Sequence, residues 1–158
     1  METIALSPLA VRVAELFPTL ALASRATLEQ IARDGIHSNL HAGTSIYSPH
    51  SPCGGFPLVL AGSIRVLQRY PNGREIQLYR VKAGESCLLA GTYLLGQTNY
   101  DACGIAETDI EVLILPPQTF HDLVAEDETF RRHVFLQYGE RLSALMQIVD
   151  AIMVQKLD

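Results

Sequence analysis

The sequence predicts a mainly β domain with flanking helices: a glycine-punctuated jelly roll, or β-roll, followed by one long C-terminal helix. Between Ile36 and about Leu115, short apolar runs are separated at close intervals by glycine and proline, the pattern of an all-β sandwich or roll. After Pro116-Pro117 the apolar spacing changes to three and four residues and holds to the end of the chain, the period of a helix. With 158 residues, 48% of them hydrophobic, the chain can bury one substantial core and is short for two. The expectation is one structural domain in three parts: N-terminal helices at residues 1–35, the β-roll at 36–117, and a short helix plus a long dimerisation helix at 118–158.

Leu9 to Phe17 forms a first helical segment that ends against Pro18. A second helix is predicted to open at Thr27, where Gln30 completes a Thr-x-x-Gln capping box and Leu28, Ile31 and Ala32 supply a short apolar face. Gly43, Gly54-Gly55, Gly62, Gly73, Gly84, Gly91, Gly96 and Gly104 punctuate the roll, and the runs between them, including those holding Cys87 and Cys103, are read as strands. Ser63–Tyr70 and Glu75–Val81 flank Pro71-Asn72-Gly73 and predict a hairpin. Asp109–Leu115 reads as the last strand. From about Thr129, Phe135, Tyr138, Leu142, Leu145, Val149 and Ile152 fall on one a/d stripe, widened by Met146 and Met153. A helix of roughly 28 residues is about 42 Å long, more than a small roll can cover. The stripe therefore predicts a homodimer through the C-terminal helix.

Composition narrows the function. Charged residues make up 18% of the chain, its net charge is −5, and the charges are scattered, so nothing presents a basic face to nucleic acid or anionic lipid. No basic N-terminal region precedes an apolar run, and no apolar stretch approaches the roughly 20 residues that span a bilayer. A cytoplasmic protein with no membrane partner is expected. Cys53, Cys87 and Cys103 are odd in number and widely spaced, which argues for free thiols.

The order of elements, and the residues within them, resemble the effector domain of Crp/Fnr transcription regulators. The resemblance rests on Leu58-Val59-Leu60-Ala61-Gly62-Ser63-Ile64-Arg65-Val66, on Gly73 to Val81 leading into Gly84-Glu85-Ser86-Cys87, and on Ala106-Glu107-Thr108-Asp109 ahead of the last strand. Phe120, Phe130-Arg131 and Arg141-Leu142 fall where that family has its post-roll helix and dimer helix. It covers nearly the whole chain and implies a cyclic-nucleotide-binding-like double-stranded β-helix. In the family the long helix leads into a helix-turn-helix that reads DNA as a dimer. This chain stops at Lys156-Leu157-Asp158, about where such a domain would begin. The resemblance thus implies a sensor half, with operator DNA and RNA polymerase as partners of a full-length protein only.

Cyclic-nucleotide members hold the phosphate with an arginine and the ribose with a Gly-Glu pair. Aligned on Gly84 and Ala102, this chain has Leu88-Leu89 in place of Gly-Glu and Asn99 or Tyr100 in place of the arginine. A buried phosphate needs a paired cation, so cyclic AMP or GMP in the usual mode is not expected. The effector-pocket candidates are Cys87, Leu88, Leu89, Gly91, Asn99, Tyr100 and Ala102. Oxygen-sensing relatives ligate an iron-sulfur cluster with N-terminal cysteines, and here none precedes Cys53. His37, His41, His50, His121 and His133 leave haem open, although no pair has convincing ligand spacing and no metal site is predicted. His50, three residues before Cys53, reads as part of a turn.

Cys53, Cys87 and Cys103 are possible redox residues; the simpler reading makes Cys87 and Cys103 small core residues and leaves Cys53, beside Gly54-Gly55, the more exposed. Arg65, Arg74, Glu75 and Arg80 read as a solvated hairpin face with cross-strand ion pairs, and the tip at Pro71-Asn72-Gly73 as a possible contact for RNA polymerase or a DNA-binding domain. No catalytic residues are predicted. A cupin-like metal enzyme is the alternative from another class, but the His-x-His pair it needs is absent. A stand-alone cyclic-nucleotide-binding-like regulatory module is the other alternative, and the missing arginine counts against it.

Overall fold

The computed structural model describes residues 5–49, 51, 54–96 and 102–157. Helix α1 (Pro8–Leu16) opens with Ser7, whose side chain accepts from the Ala10 amide, and with Pro8 in the first turn, where a missing N–H costs nothing. A 3-10 turn (Leu20–Leu22) leads to α2 (Arg25–Asp34). Helix α2 is capped by Ser24, which accepts from the Thr27 amide, and not by Thr27 as the capping-box pattern predicts. Thr27 instead donates its hydroxyl to Asp127, 2.6 Å away.

Among the described residues, seven strands follow these helices in two antiparallel sheets. β1 (Ile36–Leu40), β7 (Ile110–Leu115) and β3 (Phe56–Ala61) form one in the order β1-β7-β3. β2 (Ser45–Tyr47), β6 (Cys103–Ala106), β4 (Ser63–Arg69) and β5 (Glu75–Lys82) form the other in the order β2-β6-β4-β5. The three-stranded sheet is covered on both faces, which explains the unbroken apolar run Phe56–Leu60. Leu58, Leu60, Leu113 and Leu115 face the helices, whereas Val59, Ile110 and Val112 face the second sheet. Gly62 makes the tight turn from β3 to β4 at φ +79°; a Cβ there would lie 2.4 Å from the Asp109 carbonyl oxygen. The predicted hairpin is β4 and β5, paired from Ser63 opposite Lys82 to Arg69 opposite Glu75 with a register shift between Val66 and Leu67.

One element departs from the predicted pattern. Leu88–Gly96 is helix α3, not a strand. Leu88, Ala90, Gly91 and Leu94 are buried, but Leu89, Tyr93 and Leu95 on the less buried positions are apolar as well, so the sequence lacks the one-sided apolar spacing of a surface helix. Cys87 accordingly sits just before a helix rather than in a strand, while Cys103 opens β6 as expected.

After β7 come α4 (Pro117–Glu126) and α5 (Glu128–Leu157). Asp127 between them accepts from the Phe130 amide at 2.7 Å, so its one carboxylate caps α5 and holds Thr27 of α2. Helix α5 is about 45 Å long, and its buried residues, Phe130, His133 and Val134, all lie near its start. No helix among the described residues is long and apolar enough to cross a membrane.

Candidate functional site

Strand β5, helix α3 and the middle of α5 line a half-open cavity of about 540 Å³. Its apolar walls are Leu78 from β5, Leu88 and Leu89 from α3, and Leu142, Leu145 and Ile148 from α5. Tyr79, Thr92, Tyr138, Arg141 and Ala144 complete the lining. Tyr138 fixes the distance between the two helices. Its hydroxyl donates to the Leu88 carbonyl oxygen at 2.7 Å and lies 3.1 Å from Thr92 Oγ1, which bonds the same carbonyl at 2.9 Å. Gly91 makes this approach possible, because a Cβ there would stand 2.7 Å from the Tyr138 oxygen and 3.0 Å from the Phe56 ring.

The charge in the cavity belongs to Arg141. Its guanidinium lies over the Tyr79 ring, 4.3 Å from the centroid, donates to the Arg80 carbonyl at 3.5 Å, and stands 4.0 Å from a Glu85 carboxylate oxygen. The Tyr79 hydroxyl is buried, and burial raises its pKa, so it stays protonated. Beneath it, Cys87 is fully buried and directs its thiol to the Tyr47 hydroxyl at 3.4 Å. Burial also raises the Cys87 pKa, which favours the thiol over the reactive thiolate.

Of the effector-pocket residues named from sequence, Leu88 and Leu89 line the cavity. Gly91 packs behind it, Cys87 lies below it, and Ala102 belongs to the core between the sheets. Asn99, Tyr100, Cys53 and His50 fall outside the described residues. Leu88 and Leu89 carry no carboxylate, and residues 97–101 contain no arginine in the sequence. Sequence reasoning missed Leu78, Tyr79, Thr92 and Ile148. Arg141 was legible only as a family landmark, although a basic residue inside an apolar helical stripe is itself a signal.

Elsewhere the polar groups are dispersed. His37 pairs with Glu111 at 2.7 Å, His41 and His121 are exposed, and His133 is buried. Among the described residues no group of three or more His, Cys, Asp or Glu could hold a metal ion. On the hairpin, Glu75 lies 3.1 Å from Arg69 and 3.9 Å from Arg65, while Arg80 reaches past it to Glu107 at 2.8 Å. Phe135, Leu142, Leu145, Met146, Val149, Ile152 and Met153 stand 48–62% exposed on α5, whereas Tyr138 turns inward onto α3.

Residues 37–127 match the cyclic nucleotide-binding domain family. The chain belongs to that family. Comparison with curated proteins returns no match. Among solved structures, this cyclic nucleotide-binding domain resembles a protein of Eubacterium rectale assigned to the Crp/Fnr transcriptional regulators, with 24% identity and a TM-score of 0.76 over 88% of this chain and 64% of that one. It also resembles the catabolite activator protein of Thermus thermophilus, with 18% identity and a TM-score of 0.71 over 86% and 63%. The sensor domain of the transcriptional regulator DNR from Pseudomonas aeruginosa gives 16% identity and a TM-score of 0.66 over 87% and 89%. The fold is therefore that of a Crp/Fnr sensor domain. The chain spans just under two thirds of the length of the first two.

Proposed function

We propose that this domain is the effector-sensing and dimerising part of a Crp/Fnr-type transcription regulator, and that its effector is not a cyclic nucleotide held by the usual cassette. The observation that carries the reading is that Leu142 and Leu145 belong both to the cavity wall and to the exposed apolar stripe of α5. A molecule in the cavity touches the same side chains that a second α5 would bury. Occupancy then biases how two helices pack, the bistable element such a switch needs. Operator DNA and RNA polymerase are partners of the full-length regulator, in which DNA reading belongs to a further domain.

Two copies joined along α5 would remove the exposed stripe from water, which accounts for the exposed apolar side chains from Leu142 to Met153. Sedimentation velocity tests it. The chain is expected to sediment as a dimer, and Leu142→Asp and Leu145→Asp as monomers; an unchanged dimer in both variants would refute the interface.

A further inference from the structure

We propose that the cavity between β5, α3 and α5 takes an amphipathic monocarboxylate: an apolar body against the leucines and a single carboxylate on Arg141. This rests on the functional reading above and names the chemistry of the effector. The cavity is within the size range of small-molecule sites, and its walls leave an incoming molecule little to hydrogen-bond. The Thr92 and Tyr138 hydroxyls are both committed to the Leu88 carbonyl. The Tyr79 hydroxyl is sealed below the surface, so that residue offers its ring and not its oxygen.

Arg141 is different. Among the lining residues it alone is charged, and its side chain keeps 31% of its surface open. Its planar fork carries five N–H donors, of which one reaches the Arg80 carbonyl at 3.5 Å. Glu85, at 4.0 Å, is too distant to hydrogen-bond the guanidinium. A carboxylate arriving from the cavity side would meet the fork in the bidentate geometry that guanidinium and carboxylate share. Stacking on Tyr79 holds the guanidinium in place beforehand.

The number of ligand charges is also restricted. Glu85 and Glu140 line the crevice on the other side of Arg141. The Glu85 carboxylate 4.0 Å from the guanidinium disfavours a doubly charged head such as a phosphate monoester, and leaves room for one negative charge. The apolar walls exclude a body as polar as a nucleoside, whose ring and ribose groups would lose their hydrogen bonds to water without replacement.

The test is calorimetric titration of the full 158-residue chain with hexanoate, octanoate and decanoate, with 1-octanol as the uncharged match, and with cyclic AMP. Octanoate is expected to bind one per chain, affinity to rise about fourfold per added methylene, and 1-octanol to bind about 10- to 100-fold more weakly. Arg141→Gln should bring octanoate down to the level of 1-octanol without changing 1-octanol itself, and Arg141→Lys should restore part of the difference. Methyl chemical shifts of Leu88, Leu89, Leu142 and Leu145 should move with octanoate. Equal binding of octanoate and 1-octanol, or indifference to Arg141→Gln, would overturn the carboxylate while leaving the cavity as the effector site. Cyclic AMP binding that displaces octanoate would overturn the functional reading. If octanoate and 4-phenylbutyrate both fail to move those methyl groups, the proposal falls.

Discussion

The Tyr138 hydroxyl of α5 donates to the Leu88 carbonyl at the start of α3 across 2.7 Å, directly over the unsubstituted Cα of Gly91. This contact ties the long helix to the roll at the point where the cavity begins. In Tyr138→Phe the Leu88 carbonyl keeps its bond from Thr92, so no buried acceptor is orphaned. The expected loss is near the low end for a hydrogen bond, about 0.5–1 kcal/mol. Gly91→Ala gains about 1 kcal/mol of helix propensity but drives a methyl group into the Tyr138 oxygen and the Phe56 ring, for a net loss of about 1–2 kcal/mol. In the double variant the oxygen is gone, and the two losses should sum to less than additive. Urea denaturation of the four proteins checks this; strict additivity would separate Gly91 from Tyr138.

His133 makes stability depend on pH. It is 2% exposed, its Nδ1 shares a hydrogen bond with Thr19 Oγ1, its Nε2 has no partner, and burial lowers its pKa to about 4. The unfolded chain takes up this proton near pH 6.5 and the folded chain only near pH 4, so the stability it confers is full above pH 6.5 and falls as pH drops through that window. The total is on the order of 3 kcal/mol. Denaturation midpoints at steps between pH 7 and 4 should decline in the native chain, and the slope should flatten in His133→Leu even though that variant also loses the Thr19 bond.

Glu111 acts at lower pH. It accepts from Arg12 and from His37 at 2.7 Å, and Arg12 is the main cause of a pKa near 2. Its folded pKa lies below its unfolded value, so its contribution is present above about pH 4.5 and is lost as pH falls toward 2. The pair is partly solvated, so the effect is smaller than that of His133. In Glu111→Gln the native acid limb below pH 4.5 should become shallower while the His133 window is unchanged.

The sequence and the fold agree where one-sided patterns decide. Ser63 to Lys82 holds two β-rich runs about a glycine turn, and it forms β4 and β5 as the predicted hairpin. Agreement ends where burial is two-sided. Leu88–Gly96 packs at Gly91 between Phe56 of the sheet and Tyr138 of α5, and because its less buried positions Leu89, Tyr93 and Leu95 are apolar too, its helical period disappears from the sequence. Thr27 matched a capping box, but tertiary contact with Asp127 takes its hydroxyl and Ser24 caps the helix. At the site, Leu88 and Leu89 were legible from the alignment of motifs. Tyr79 and Arg141 meet only because β5 lies beside α5, a proximity that no local spacing encodes.

Asp127 serves two helices with one carboxylate. Removing it in Asp127→Ala leaves the Phe130 amide and the Thr27 hydroxyl without their shared acceptor. Loss of an N-cap costs about 1–2 kcal/mol, and the stranded Thr27, 7% exposed, adds to it. Asp127→Asn keeps one acceptor oxygen and should recover part of the loss. Thermal unfolding of the two variants distinguishes capping from a purely electrostatic role, in which asparagine would be no better than alanine.

Cavity and seam should separate along α5. Leu145 belongs to both, whereas Ile152, seven residues on, lies outside the cavity and stands 48% exposed. A charge at either place is costly in an apolar helix interface, so Leu145→Asp and Ile152→Asp should both weaken association in sedimentation. Leu145→Asp also puts a carboxylate into the cavity wall one helical turn from Arg141, where it competes with an acidic ligand, and should abolish octanoate binding. Ile152→Asp should leave the first-site affinity of the monomer for octanoate within about twofold, because no cavity residue is altered. If Ile152→Asp eliminates binding as thoroughly as Leu145→Asp, the cavity is complete only when a second α5 closes it, and ligand and dimer form as one event.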